Sequence, residues 1–154
     1  MYAVLLTLHS LLRWFVLGAG LAAVFFAIAG WRGNNPWTKR DRVVGAVFTG
    51  FLDLQFLLGL LLYFVSPVLQ AAFSNFGAAM KEPSLRFFAV EHMTGMLIAV
   101  VLVHVGRVLS KKAPDDAGKH KQAARFFVFA LAIMLLAIPW PGMAWGRPLF
   151  RFGA

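Results

Sequence analysis

Seven polar or ionisable side chains stand in stretches that are otherwise apolar: His9 and Arg13 in the first long hydrophobic run, Asp53 and Gln55 in the second, and Glu91, His92 and His104 in the third. A charged group at the centre of a membrane helix costs at least ~2.5 kcal/mol, so each of these should meet a partner or a ligand. The histidines have the most chemistry to offer. His9 and His92 each lie about 10 Å below the same end of their runs, at a helical rise of 1.5 Å per residue, and the two runs point the same way. Helices of a four-helix bundle can hold a porphyrin between them, with one imidazole on each side of the iron.

The faces agree with that placement. His9, Arg13, Val16 and Gly20 form one stripe, and His92, Met96, Ala99 and Val103 form another. Gly95, one turn from His92, would let either a flat macrocycle or a second helix approach closely. Haem propionates would need cationic partners, for which Arg86 is the first candidate and Lys81 the second. Arg13 and Asp53 both fall near the midplane of oppositely running segments and are expected to form an ion pair. With Glu91 as an outer relay they would also outline a proton path, although Gln55 points away from Asp53 around the helix. His104 lies about 18 Å beyond His92 along the same helix. With Met134 at a similar height it offers the ligands of a second haem, a weaker alternative because methionine in a helix commonly serves packing. A zinc or di-iron centre would need three or four clustered ligands, and Glu91 projects about 100° away from His92.

The elements that must position these groups are membrane spans. The 154 residues are 60% hydrophobic and 14% charged, and the mean hydropathy is +0.75. Soluble domains are about half apolar, so the chain belongs in a bilayer. Four runs reach the roughly 20 residues that a spanning helix needs, at about 2–30, 43–66, 87–109 and 126–143. The first is not a signal peptide, because it lacks a basic leader and carries Arg13 in its middle. Cysteine is absent, which excludes disulfides, thiolate metal sites, a cysteine nucleophile and haem attached through thioethers.

The net charge of +9 sits at the ends of apolar runs and reads as topology rather than as nucleic-acid binding. Arg32, Lys39, Arg40 and Arg42 occupy one loop, and Arg107, Lys111, Lys112, Lys119, Lys121 and Arg125 the other. The opposite side holds Lys81, Arg86, Arg147 and Arg151. The positive-inside rule then puts both termini in the periplasm of a bacterial inner membrane. Leu69, Phe73, Phe76 and Met80 recur at helical spacing between spans two and three, as in a short interfacial helix. Pro139 and Pro141 end or kink the fourth span, and Trp140 and Trp145 fit an aromatic belt. His120, in "DDAGKHKQ", is read as part of a solvated loop with no assigned role.

The segments "LHSLLRW" (8–14), "LQFLLGLLLYFVSP" (54–67), "AAMKEPSLRFFAVEH" (78–92) and "AIPWP" (137–141) touch all four spans. They resemble a group of small bacterial four-span membrane proteins labelled cytochrome-b-like. That resemblance implies His9 and His92 as candidate haem ligands.

The expectation is therefore an all-α, single-domain, four-helix transmembrane bundle, residues 1–154. It would bind haem b and transfer electrons without bond-making catalysis, alone or as a small subunit of a respiratory or photosynthetic complex. Its partners would be membrane lipid, a quinol or quinone, or a periplasmic electron carrier. Two other readings stand beside it: a non-haem accessory subunit of a larger membrane complex, and a proton-linked transporter or relay.

Overall fold

The computed structural model describes residues 1–150, so Arg151 lies outside it. Its elements are α1 (Tyr2–Arg32), α2 (Lys39–Val65), α3 (Pro67–Ser74), α4 (Phe76–Ala79), α5 (Pro83–Arg86), a π-helical turn (Phe87–Glu91), α6 (His92–Lys112) and α7 (Asp116–Ala137). No strand occurs among the described residues. Four helical stretches are long and apolar enough to span a membrane: α1, α2, Pro83–Lys112 and α7. This is a multi-pass membrane protein. Large apolar side chains such as Phe25, Phe64 and Leu136 project outward, as a lipid-facing surface requires.

The long helices form a ring in the order α1, α2, α6, α7. The α6–α7 seam is the most extensive, followed by α1–α2 and α1–α7, whereas α2 and α6 meet sparsely. The centre is built largely from small residues, including Ala23, Ala27, Ala99, Ala124 and Ala130. Without a hydrophobic drive between helices in lipid, close backbone approach and van der Waals contact must hold them together. Phe48 and Phe127 fill the remaining space edge to face, with ring centres 5.5 Å apart.

Capping residues set several helix boundaries earlier than the apolar runs suggest. α2 begins at Lys39 because Asp41 accepts hydrogen bonds from the backbone N–H and the hydroxyl of Thr38, at 2.8 and 2.6 Å. α7 begins at Asp116 because Asp115 accepts from the Gly118 N–H at 2.6 Å. The supposed loop 107–125 is therefore mostly helix. His120 is not solvated: it is 1% exposed and packs edge-on against Trp37, with ring centres 4.7 Å apart. Opposite it stands Gly30, where any side chain would collide with the imidazole.

The connection from α2 to α6 is three short helices rather than one. Asn75 leaves helical geometry and caps α4 through its side chain, while Glu82 caps α5 ahead of Pro83. Leu69 and Met80 pack inward with Ala72 and Ala89. Phe73 and Phe76 remain about half exposed, contrary to a single amphipathic face.

Gly30→Val is expected to overpack the His120 pocket, at a cost of about 1–3 kcal/mol, and to lower the thermal midpoint in detergent. Gly18→Ala, where nothing lies within 4 Å of the added Cβ, is expected to leave that midpoint unchanged or raise it.

Candidate functional site

A cavity of about 350 Å³ opens among α1, α2, the start of α6, the end of α7 and the segment after it. Its walls are mostly apolar, with Leu6, Val16, Phe56, Met93, Met96 and Met134 among them, and His9 and His92 both face it. The two imidazole centres are 6.3 Å apart, with ring planes at 72°.

His92 owes its orientation to a proline that follows another helix. In an α-helix the carbonyl of residue i accepts from the N–H of residue i+4, and Pro139 and Pro141 have no N–H to give. The carbonyls of Leu135 and Ala137 are thereby left for other donors. The Trp140 indole N–H donates to Leu135 at 2.8 Å, and His92 Nδ1 donates to Ala137 at 2.7 Å. A carbonyl only accepts, so Nδ1 carries the hydrogen and a neutral His92 keeps a lone pair on Nε2. That is the posture in which a second partner fixes the tautomer of a metal-binding histidine.

The backbone before His92 is wound to suit. His92 N–H bonds to the Phe87 carbonyl, five residues back, closing the π-helical turn. Such single wide turns insert one residue into a helix and recur at functional sites. Tyr63 of α2 ties the turn down by donating to the Ala89 carbonyl at 2.7 Å.

His9 is held by its backbone instead. Gln55 Nε2 donates to the His9 carbonyl at 2.9 Å. Gly59, one turn along α2, leaves room for the ring: a Cβ there would stand 3.1 Å from His9 Cε1. The imidazole itself makes no hydrogen bond, and its Nδ1 is buried with no partner among the described residues. A buried polar atom of this kind is expensive unless something else completes it.

The cavity carries positive charge without an acid to offset it. Arg13 and Arg147 both line it, and no Asp or Glu does. Arg13 Nη2 donates to the Leu149 carbonyl at 2.6 Å, leaving Nε buried and unpaired. Arg147 lies over the Phe88 ring at 4.8 Å, and its N–H bonds to the Pro139 carbonyl at 3.0 Å.

Several expected partnerships are not formed. Asp53 pairs with His104 at 2.9 Å rather than with Arg13, because α2 turns Gln55 inward and Asp53 outward. Glu91 pairs with Arg86 at 2.7 Å, so Arg13, Asp53 and Glu91 are separated and outline no relay. Neither Arg86 nor Lys81 lines the cavity; the cations that do are Arg13 and Arg147. His104 faces α2, whereas Met134 faces the cavity, so the two cannot ligate one second haem. Gly95 serves helix packing: its nearest neighbour is Ala137. Arg147, read from sequence only as a topology charge, and Gly59 were missed. The Ala137 carbonyl was missed as well, although a proline four residues later is a readable sign of a carbonyl without its helical donor.

The fit to a ligated metal can be tested by distance. Two imidazoles bound through nitrogen at about 2.0–2.1 Å on opposite sides of one ion, with about 1.1 Å more from each nitrogen to its ring centre, place those centres roughly 6–6.5 Å apart. The observed 6.3 Å falls within that range, which an ordinary edge-to-face contact between two rings also spans. Among the described residues no three His, Cys, Asp or Glu side chains cluster as a metal site. A metal that brings its own equatorial ligands needs only two from the protein.

In ligand-free protein, His92→Leu is expected to cost about 1–3 kcal/mol, because the buried Ala137 carbonyl loses its donor. His9→Leu is expected to be neutral or stabilising, since it removes an unpaired buried nitrogen. Thermal unfolding of both variants in detergent checks the contrast.

No protein-family model, no curated protein and no solved structure matches this chain.

Proposed function

We propose that this protein binds one b-type haem between His9 and His92 and transfers electrons within a bacterial inner membrane. The observation that carries the reading is the pair of imidazoles, 6.3 Å apart and both lining one cavity, one of them with an unpaired buried nitrogen. A haem supplies one-electron redox chemistry at its iron. The chain's part is to hold the ligands, bury the ring in apolar walls and set the potential through ligand identity and burial.

Arg13 and Arg147 are the residues to hold two propionates, with charge matching charge in a cavity that has no acid of its own. Met93, Met96 and Phe56 supply polarisable, adaptable contacts for a flat apolar face. Under the positive-inside rule, the cationic α1–α2 and α6–α7 connections lie in the cytoplasm, so the cavity opens toward the periplasmic half of the bilayer. Electrons would then be exchanged with a quinol or a periplasmic carrier, by the protein alone or as a small subunit of a respiratory or photosynthetic complex.

Protein purified in detergent from a haem-producing host is expected to show a Soret band and a reduced-minus-oxidised spectrum at one haem per chain. His9→Ala and His92→Ala are each expected to lose it. A wild-type protein with no Soret band in either redox state would sink the haem reading, and would leave the histidines as packing groups of an accessory subunit.

A further inference from the structure

Among the described residues, the Asp53–His104 pair is the one strongly polar feature on the outer wall of the bundle at mid-helix depth. Asp53 stands near the centre of α2, and the side chains of Asp53 and His104 are 40% and 52% exposed. Polar groups at such depth almost always face a protein interior or a water-filled space, because lipid tails can neither hydrogen-bond nor solvate them. Here they bridge the sparse α2–α6 side of the ring and look outward.

We infer that this wall is covered by a second copy of the same chain, in a two-fold dimer that buries the Asp53–His104 pair. The choice of occupant follows from the pair's unused capacity. Beyond their mutual bond, neither residue has another hydrogen-bond partner among the described residues. A lipid surround disfavours a net charge, and the net-neutral pair, with one proton shared between Asp53 and His104 Nε2, keeps one acceptor, Asp53 Oδ2, and one donor, His104 Nδ1–H. A two-fold axis along the membrane normal sets α2 of one protomer against α6 of its partner at equal height. Each free acceptor then meets the other copy's free donor, giving a closed ring of four hydrogen bonds. A single-signed or apolar partner would leave these atoms unpaired.

The surroundings suit close approach. Ala46 and Gly50 lie on the exposed face of α2 below Asp53, and a Cβ at Gly50 would meet nothing within 4 Å. Small residues one turn apart let membrane helices come into contact. Across the groove Val101 and Val108, 52% and 49% exposed, flank His104 at matching heptad spacing.

The absence of cysteine from the whole sequence makes a clean test possible. Chains carrying Gly50→Cys and chains carrying Val108→Cys are mixed in nanodiscs and treated with a short bismaleimide. A crosslinked species of twice the 17.0 kDa chain mass is expected from this mixture. It is not expected when Gly18→Cys, on the outer face of α1, replaces Gly50→Cys. The mass of the untreated protein–detergent complex is expected to report a dimer for wild type and a monomer for the Asp53→Leu/His104→Leu double variant. The double variant's thermal midpoint and any haem spectrum establish that it has folded. A monomeric wild type, a dimer that survives the double substitution, or crosslinking through Gly18→Cys in preference to Gly50→Cys would each overturn the inference.

Discussion

Inside a bilayer every backbone polar group has to find its partner within the protein, because no water is present to supply one. The Ala137 carbonyl is where that constraint shapes this molecule. Pro141 removes its helical donor, and His92 takes the vacant place from a different helix. The prolines stop α7, and the one hydrogen bond that fills the vacancy locks α6 against it and fixes which nitrogen of His92 faces the cavity. The wide turn ahead of His92 and the Tyr63 bond that steadies it are the adjustments α6 makes so that the ring can reach.

On the facing side the constraint is met for the backbone and left open for the side chain. Gln55 satisfies the His9 carbonyl, and Gly59 makes room for the ring, but nothing completes His9 Nδ1. The protein thus fixes one imidazole fully and seats the other by sterics alone. Arg13 shows the same asymmetry, anchored through Nη2 and unpaired at Nε. Gln55 Oε1 is a third unpartnered buried atom on the lining of the same cavity, so three such atoms from α1 and α2 meet there.

Depth along a helix is legible in the sequence, and rotation between helices is much less so. The four spans follow from apolar runs, and the matched heights of His9 and His92 follow from residue counting. Both are properties of single helices. The Arg13–Asp53 pairing failed because equal depth does not make two side chains face each other; Asp53 turns to α6 and Arg13 to the segment after α7. His120 was misread because the charges around it, on the outward face of α7, resemble a loop when the cap at Asp115 is overlooked. Arg147 could not be found from its own neighbourhood, since only the path of the chain after Pro139 brings it back to the cavity.

That returning segment also bears on how the protein is made. The Leu149 carbonyl reaches across to Arg13 and Trp14 of the first helix, and Arg147 lines the cavity beside them, closing one flank of it. They are synthesised after all four spans. Through most of membrane insertion that flank stands open to lipid, and the pocket takes its final form only when late-synthesised residues fold back over early ones. Whatever occupies it is therefore enclosed only after the fourth span has been made.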